Sequence, residues 1–358
     1  MRRALRGSSF AARSRMQAPR AHEALLRVAE AAALAPSSYN TQPWRFRIAG
    51  DFFEIHADRT RHLRTIDPDR RGQLLSCGCA LFNARVAMRG QGYVDEVTTM
   101  IADLEDPDLV ATLRAHTPYI PNEYDESLVA AIPKRRTNRR AFLPRAVAAK
   151  LSDTLVEAAA VEHATMVRLV PEQKYALAAL IDEADRMQYG DPAFRAELEQ
   201  WLVPTGSRRH DGVPLVEKEY GTALPFSLGR IVHSPTLPDR LAALEAELVH
   251  EAPVVFVIGT HSDEPTDWIS CGQALEAVLL LATTYGMSAA FLNQVLERAE
   301  SRGRVAELVP EVGYPHMVLR LGYAVEPVHR IAPRRPIEEM LEVVAAHNRR
   351  RNPTPPSG

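Results

Sequence analysis

Residues Ser76–Leu81 read Ser-Cys-Gly-Cys-Ala-Leu, and residues Ser270–Leu275 read Ser-Cys-Gly-Gln-Ala-Leu. The two stretches lie 194 residues apart, and at that same offset Gly92 matches Gly286. Each stretch continues into an apolar run that reaches its glycine, the residue type that ends many helices in a left-handed conformation. The repeated motif, the apolar helix and the terminal glycine together indicate that one structural unit has been duplicated along the chain.

Other helices and strands are predicted around both repeated helices. In the first half, the pattern predicts a helix over 20–34, a hairpin of alternating residues over 44–57, the repeated helix over 72–90 and a strand over 97–101. In the second half, it predicts helices over 146–160, 172–188 and 268–285, with strands over 166–170, 254–259 and 317–323. This mixture of strands and helices favours an α+β fold.

The chain divides into two predicted units, 20–124 and 125–345. A stretch rich in proline and glycine, 203–238, is long for a structureless connection, so we expect a lid over a site or a disordered segment. Residues 1–19 are a basic leader and residues 346–358 a basic, proline-rich tail, and both are expected to be disordered.

Composition limits the classes of function. The net charge of -2 gives no general attraction to nucleic acid or to a membrane surface. Three cysteines do not form a disulfide framework, which favours a reducing compartment and hence the cytoplasm. The Cys77 and Cys79 pair could bind metal or do redox work, although small buried residues on a helix are the simpler interpretation.

The loop after the first helix, Ala35–Trp44, reads Ala-Pro-Ser-Ser-Tyr-Asn-Thr-Gln-Pro-Trp. A helix stop followed by two hydroxyls, two amides and a tryptophan is too particular for an ordinary connection. Trp44 opens the predicted hairpin and is expected to belong to the core, and Gln42 to brace the loop.

A basic cluster opens the second unit, where Arg135, Thr137 and Arg139 alternate. We expect this stretch to lie ahead of a helix with both guanidinium groups on one helical side. Two arginines and a hydroxyl suit a phosphate monoester, and Arg334 with Arg335 offers a second pair. The alternative is a solvated basic face; nucleic-acid binding would need a wider basic surface with aromatic partners.

With the loop and the arginines in view, the chain resembles the FMN-dependent nitroreductase family. More closely it resembles the Acg-like branch, in which two nitroreductase units are fused in one polypeptide. The resemblance covers about 20–345 and rests on the stretches 35–44, 57–59, 67–68, 76–81, 135–142, 195–198 with Trp201, 211–214, 270–275 and 334–336.

The resemblance implies a nitroreductase-like fold whose two units form an internal pseudo-dimer with FMN at their interface. It assigns the phosphate and ribityl chain to Arg135, Thr137 and Arg139, completed by Arg334 and Arg335. It assigns the flavin ring to Pro36, Ser37, Ser38 and Asn40, with Asn293 and Gln294 passing near it. It requires no catalytic side chain and no metal.

Each half carries only one part of such a site. The loop occurs only in the first half, since the second half reads Val-Glu-His-Ala-Thr at 161–165, and the arginine motif occurs only in the second. We therefore expect one FMN per chain, a vacant mirror-related site and a monomeric pseudo-dimer.

Two functions follow from the resemblance. The first is an oxidoreductase that passes electrons from NAD(P)H through FMN to a nitroaromatic, quinone or similar small-molecule acceptor. The alternative is a protein that binds and sequesters flavin beneath the lid, with little or no turnover.

Overall fold

The computed structural model of the chain describes residues 21–99, 106–204, 206–215, 234, 237–326 and 332–344. Within these ranges the main architecture is a layered one of two sheets and two central helices. One helix packs on the first sheet, the other packs on the second sheet, and the two helices pack on each other.

The first part of the chain supplies the elements around the first central helix. They are α1 (21–32), β1 (Trp44–Ala49), β2 (Phe52–Ala57), α2 (Arg71–Gly90), β3 (Val97–Thr99), β4 (Leu109–Arg114) and α3 (Glu123–Ala131). Leu25, Val28, Ala29 and Ala32 are fully buried, which is the apolar stripe expected of a helix packed on a core. The predicted hairpin is confirmed, and Trp44 is fully buried at its start.

The second part of the chain supplies the elements around the second central helix. They are α4 (Ala149–Val161), β5 (Thr165–Arg168), α5 (Pro171–Gly190), α6 (Pro192–Trp201), β6 (Leu202–Val203), β7 (Val213–Pro214), α7 (Leu237–Glu251), β8 (Val254–Thr260), α8 (Pro265–Thr284), β9 (Ser288–Phe291), α9 (Ala299–Leu308), β10 (Tyr314–Gly322) and β11 (Leu341–Val344). All seven residues of β8 are buried between β5 and β10, as the unbroken apolar run predicts.

The two central helices, α2 and α8, meet at the glycines of the repeated motif. A Cβ on Gly78 would lie 2.3 Å from the carbonyl oxygen of Ile269, and one on Gly272 would lie 2.1 Å from that of Leu75. The two contacts are equivalent: adding 194 to Gly78 and Leu75 gives Gly272 and Ile269. The two repeats therefore make the same contact with each other in both directions. The thiol of Cys79 faces the carbonyl of Gly272 at 3.2 Å across the same contact. Only residues without a side chain allow the two backbones to approach this closely.

The chain returns to the first sheet at its end. Strand β11 pairs in parallel with β1, with Phe46 opposite Leu341, and the sheet order is β11-β1-β2-β4-β3. The second sheet has the order β5-β8-β10-β9, and all its strands are antiparallel to their neighbours. The division into units at 124 and 125 stays a prediction, and this last strand belongs by pairing to the first sheet.

One local prediction at the basic cluster is wrong. Arg135, Thr137 and Arg139 do not share a helical side, because the stretch after α3 is extended and Thr137 bridges Ala289 beside β9. The amide of Asn138 donates to the carbonyl of Ala289 at 2.8 Å, which fixes this segment along the second sheet. Arg135 is buried in this segment, whereas Thr137 and Arg139 are partly exposed.

Several other expectations lie wholly or partly outside the described residues. The basic leader and the tail do so, as does most of the predicted lid, of which 206–215 is the main described part. In the part of the chain that the structure covers, no helix is both long and apolar enough to cross a membrane. The three cysteines are free and buried.

The helix contact predicts a sharp difference between two glycine substitutions. Gly78→Ala places a methyl group against backbone oxygen, so we expect it to lower the free energy of unfolding by roughly 3 kcal/mol. Gly303→Ala is the control, because Gly303 lies exposed in α9 and its Cβ would meet no atom within 4 Å. That change should raise stability by about 0.5–1 kcal/mol. Urea unfolding of both variants measures the difference, and equal stabilities would contradict the close contact.

Candidate functional site

The loop that follows α1 has an unusual backbone. Tyr39, Asn40 and Gln42 all adopt left-handed conformations, with φ of 48°, 55° and 49°. Such angles are disfavoured for residues with side chains, so the surrounding structure must impose them. Inside the loop, the hydroxyl of Ser37 accepts from the amide of Gln42 at 2.9 Å.

The described part of the predicted lid binds this loop directly. The amide of Gly212 donates to the carbonyl of Asn40, and the Asn40 side chain donates back to the carbonyl of Gly212 at 3.0 Å. The side chain of Gln42 donates to the carbonyl of His210 at 2.9 Å. Arg61 and Asp211 form an ion pair beside these bonds. The segment 206–215 therefore holds one side of the loop.

The C-terminal pair of arginines holds the other side. Arg334 donates to the carbonyl oxygens of Leu34 and Ala35, both at 3.1 Å, and to the side-chain oxygen of Asn40 at 2.6 Å. The first two oxygens belong to the turn that directly follows α1, where carbonyl groups have no partner within the helix. The backbone amide of Arg335 donates to the side chain of Gln42 at 2.9 Å.

Arg334 also brings the loop close to the basic cluster. Burial, together with the positive charge of Arg135, lowers the pKa of Arg334 to about 10. Arg135 is itself 7% exposed, and its Nε lies 3.7 Å from a carboxylate oxygen of Glu276. Two guanidinium groups thus share a region of restricted solvent access with one carboxylate.

Glu276 lies on α8 and is fully buried. Its carboxylate faces Arg135 and also Asn83 of α2, and burial raises its pKa to about 7. Among the described residues, no hydrogen bond of ordinary geometry reaches either carboxylate oxygen, nor the Nε atoms of Arg135 and Arg334. Buried polar atoms are nearly always bonded, so this group of charges has capacity for a ligand.

The other predicted phosphate residues lie along the same extended segment. Thr137 is bridged to Ala289, and the carbonyl of Arg139 accepts from the guanidinium of Arg320 at 2.9 Å. Both side chains are partly exposed, whereas Arg135 is buried. Of the predicted cluster, Arg135 is the residue that the structure joins to Arg334 and hence to the loop.

Asn293 and Gln294 lie in a short 3-10 turn after β9. The side-chain oxygen of Asn293 accepts from the amide of Val318 at 3.0 Å. The amide of Gln294 donates to Asp185 at 3.3 Å and to Glu245. These bonds hold elements of the second part of the chain together. That either residue lies near the flavin ring stays a prediction.

The ring of Tyr39 packs on the cluster of buried residues around α6 and α7, with acidic groups around it. Burial raises the pKa of Tyr39 well above its ordinary value, and the charges of Glu297, Asp185 and Glu245 raise it further. Burial likewise raises the pKa of Glu297 to about 8, assisted by Asp67, and raises that of Asp185. These carboxyl groups therefore keep protons in the folded protein at a pH where free carboxyl groups have lost them.

Glu276 and the acidic groups around Tyr39 were not predicted from the sequence. Glu276 carried a signal, because it is a charged residue within the apolar run of a repeated helix and Phe82 stands at the same place in the other repeat. Asp185 lies on α5, Glu245 on α7 and Glu297 in the connection before α9, so these residues are far apart in sequence and form no local pattern.

Comparisons with known proteins agree on one family. The model of the nitroreductase family matches residues 132–323. The Mycobacterium tuberculosis protein named "Putative NAD(P)H nitroreductase Rv3131" is 32% identical over 312 residues, which are 86% of this chain and 88% of that protein. A second protein of that organism, named "Putative NAD(P)H nitroreductase acg", is 29% identical over 88% of this chain and 94% of its own length.

Among solved structures, the chain is similar to a nitroreductase with bound FMN from Bacteroides fragilis. The identity is 18% and the TM-score 0.36, with 59% of this chain and 93% of that chain covered. A nitroreductase of Bacillus subtilis, NfrA1, gives 14% identity and a TM-score of 0.35 over 59% of this chain and 72% of that chain.

The acidic groups predict how stability depends on pH. Because the folded state raises the pKa of Glu297 from 4.5 to about 8, its contribution is fully present below pH 4.5 and is lost as the pH rises to 8. Glu297→Gln should therefore lose less stability than the parent protein between pH 5.5 and 8.5 in urea unfolding. The matched control is Glu300→Gln, at an exposed position on α9. If the Glu297→Gln curve runs parallel to the parent curve, Glu297 does not hold a proton in this range.

Proposed function

Because the chain belongs to the nitroreductase family, we propose that it binds FMN and transfers electrons from NAD(P)H to a nitroaromatic, quinone or similar acceptor. The observation that carries this proposal is the bridge made by Arg334. That side chain donates hydrogen bonds to the loop after α1, and its positive charge is close enough to that of Arg135, in the second part of the chain, for the two to repel each other. The two elements expected at opposite ends of a flavin are therefore neighbours.

The charges of this region suit a phosphate monoester. Arg135 and Arg334 repel each other, and Arg136 adds to the positive charge near Arg334, while Glu276 balances only part of it. A phosphate carries nearly two negative charges and offers three acceptor oxygens. It would relieve the repulsion and give partners to guanidinium nitrogens that lack them.

The remaining roles follow from position. We propose that Arg135, Thr137 and Arg139 hold the phosphate and ribityl oxygens, with Arg334 closing the anion pocket and Arg335 supporting the loop through Gln42. Pro36, Ser37, Ser38 and Asn40 would line the ring from a backbone whose left-handed residues are held on both sides. Such pre-organisation reduces the conformational entropy that the loop would lose when a ligand binds.

The protein's contribution is to bind, orient and shield. When bound at these residues, FMN would supply the redox chemistry, which is acceptance of a hydride from NAD(P)H and transfer of electrons to the acceptor. The loop residues would set the exposed face of the ring, and the segment 206–215, which lies against Asn40 and Gln42, would limit access of water. The reaction needs no side-chain nucleophile.

The mirror-related region lacks the same polar groups. At the repeat offset, Glu276 corresponds to Phe82 and Asn83 to Ala277, and both replacements belong to an apolar cluster. The turn after α4 is closed by an ion pair between Arg85 and Glu162. These observations favour a single flavin site per chain.

A specific observation also favours storage of flavin as a second candidate. Two hydrogen bonds between Asn40 and Gly212, and one from Gln42 to His210, hold part of the predicted lid on the loop. A lid fixed in this position over the ring would exclude nicotinamide and acceptor. Anaerobic mixing of the flavin-loaded protein with NADH or NADPH separates the candidates: bleaching of the flavin absorbance indicates turnover, and a flavin that stays oxidised indicates storage.

The proposal predicts the amount of flavin bound. Extraction and quantification after saturation with FMN should give one FMN per chain, because only one of the two mirror-related regions has the required charges. Two FMN per chain would show that the apolar region also binds flavin. A well-folded protein that takes up none would overturn the proposal.

Arg135 is the most direct target for mutation. We expect Arg135→Gln to weaken FMN binding by roughly 30-fold, equivalent to about 2 kcal/mol, because a charged hydrogen bond to phosphate is lost. Arg45→Gln removes the same charge at an exposed position of β1 and should leave the affinity unchanged. Quenching of flavin fluorescence measures both, and thermal melting confirms that each variant is folded. An affinity for FMN that is equal in the two variants would remove Arg135 from the site.

A further inference from the structure

A buried carboxylate beside a phosphate site is an unexpected arrangement. Glu276 has no exposed surface and lies against Arg135, the residue proposed to hold the most negative part of the ligand. A phosphate and an ionised carboxylate on the same arginine would repel each other strongly, because the interior screens charges poorly. One of these two negative charges must therefore be neutralised or moved away when the phosphate binds.

The charged and polar groups that face Glu276 come from three parts of the chain. Arg135 follows α3, Arg334 comes from the C-terminal segment, and Asn83 and Cys79 face it from α2. Helix α4 also packs on α8, and its buried residues are uncharged. Its ionic partners are therefore arginines of the proposed anion site.

The geometry is that of a weak ion pair. The distance of 3.7 Å between Arg135 Nε and Glu276 Oε1 is too long for a hydrogen bond, and neither carboxylate oxygen has another such bond within the described residues. A buried ion pair that is permanent normally has good geometry and further hydrogen bonds. This pair is arranged so that one partner can change its charge at small cost.

The repeat supplies a second, independent observation. Helix α2 has Phe82 at the position that Glu276 occupies in α8, so the duplicated scaffold does not need a carboxylate there. The acid stands only in the repeat that meets Arg135 and Arg334. Its place is thus tied to the anion site and not to the packing of the two helices.

We propose that Glu276 is the internal counter-ion of the anion site: its carboxylate neutralises Arg135 and Arg334 in the empty protein and takes up a proton from solvent when a phosphate monoester binds. This inference rests on the proposed function and adds to it a residue, Glu276, that selects ligands by their charge. The negative charge of the phosphate replaces that of the carboxylate on the two arginines. The site should therefore bind the phosphorylated flavin in preference to anions that carry less charge.

The proposal predicts a pH dependence with a defined sign. Burial raises the pKa of Glu276 to about 7, so above this pH the empty protein must gain a proton on binding. The affinity for FMN should fall by about tenfold per pH unit between pH 7 and 9. The phosphate of FMN, with a second pKa near 6, is already a dianion throughout this range.

The test compares Glu276→Gln with the parent protein and with Glu157→Gln, an exposed substitution on α4 that makes the same change of charge. FMN affinity is measured from pH 6 to 9 by fluorescence quenching. Titration calorimetry at pH 8, in two buffers of different ionisation enthalpy, counts the protons taken up. Riboflavin, which lacks the phosphate, serves as the control ligand.

We expect the parent protein and Glu157→Gln to take up close to one proton with FMN and to lose affinity above pH 7. Glu276→Gln should take up almost none, keep its affinity to pH 9 and thus bind FMN at least tenfold tighter than the parent there. Riboflavin binding should be the same in all three. Equal proton uptake and parallel affinity curves in the parent and Glu276→Gln would overturn the inference while leaving FMN binding intact. Failure of all three proteins to bind FMN would instead overturn the proposed function, and this inference with it.

Discussion

The contact between the backbones of α2 and α8 is the constraint on which the rest of the structure depends. Gly78 and Gly272 each leave room for a carbonyl oxygen of the opposite helix, at distances that no side chain would permit. The same two helices carry Asn83 and Glu276 a little more than one turn further along. Their close approach therefore sets the spacing of the buried polar groups at the candidate site, as well as that of the two sheets.

Symmetry supplies the scaffold, and departures from symmetry supply the site. Each helix contributes the same glycine to the crossing, but the neighbouring positions differ, with Glu276 in one repeat and Phe82 in the other. The arginine motif likewise belongs to one half and the left-handed loop to the other. Arg334 connects the loop with the arginine motif. Its guanidinium group donates to Asn40 and to the carbonyl oxygen of Leu34 just after α1, and the charge of Arg135 lowers its pKa. These differences between the repeats are the reason why we propose one flavin site per chain.

Much of this arrangement can be predicted from local sequence. The hairpin, the unbroken apolar strand β8 and both repeated helices follow from periodicity, with ends within a few residues of the observed ones. The helical geometry expected for Arg135 and Arg139 was wrong, because pairing of Thr137 with Ala289 keeps that stretch extended. Local pattern also gives no information on the pairing of β11 with β1, or on the bonds from Arg334 to Leu34 and Ala35. Those contacts join residues about 300 positions apart, and they depend on how the finished layers meet.

The central claim is that the loop after α1 and the arginines of the second part of the chain form one composite flavin site beside the helix crossing. A crystal structure of the protein grown with FMN tests it most directly. We expect one FMN per chain, with its phosphate against Arg135 and Arg334, its ring against Pro36–Asn40 and the region around Phe82 free of flavin. FMN bound away from these residues, or an equal FMN beside Phe82, would contradict it.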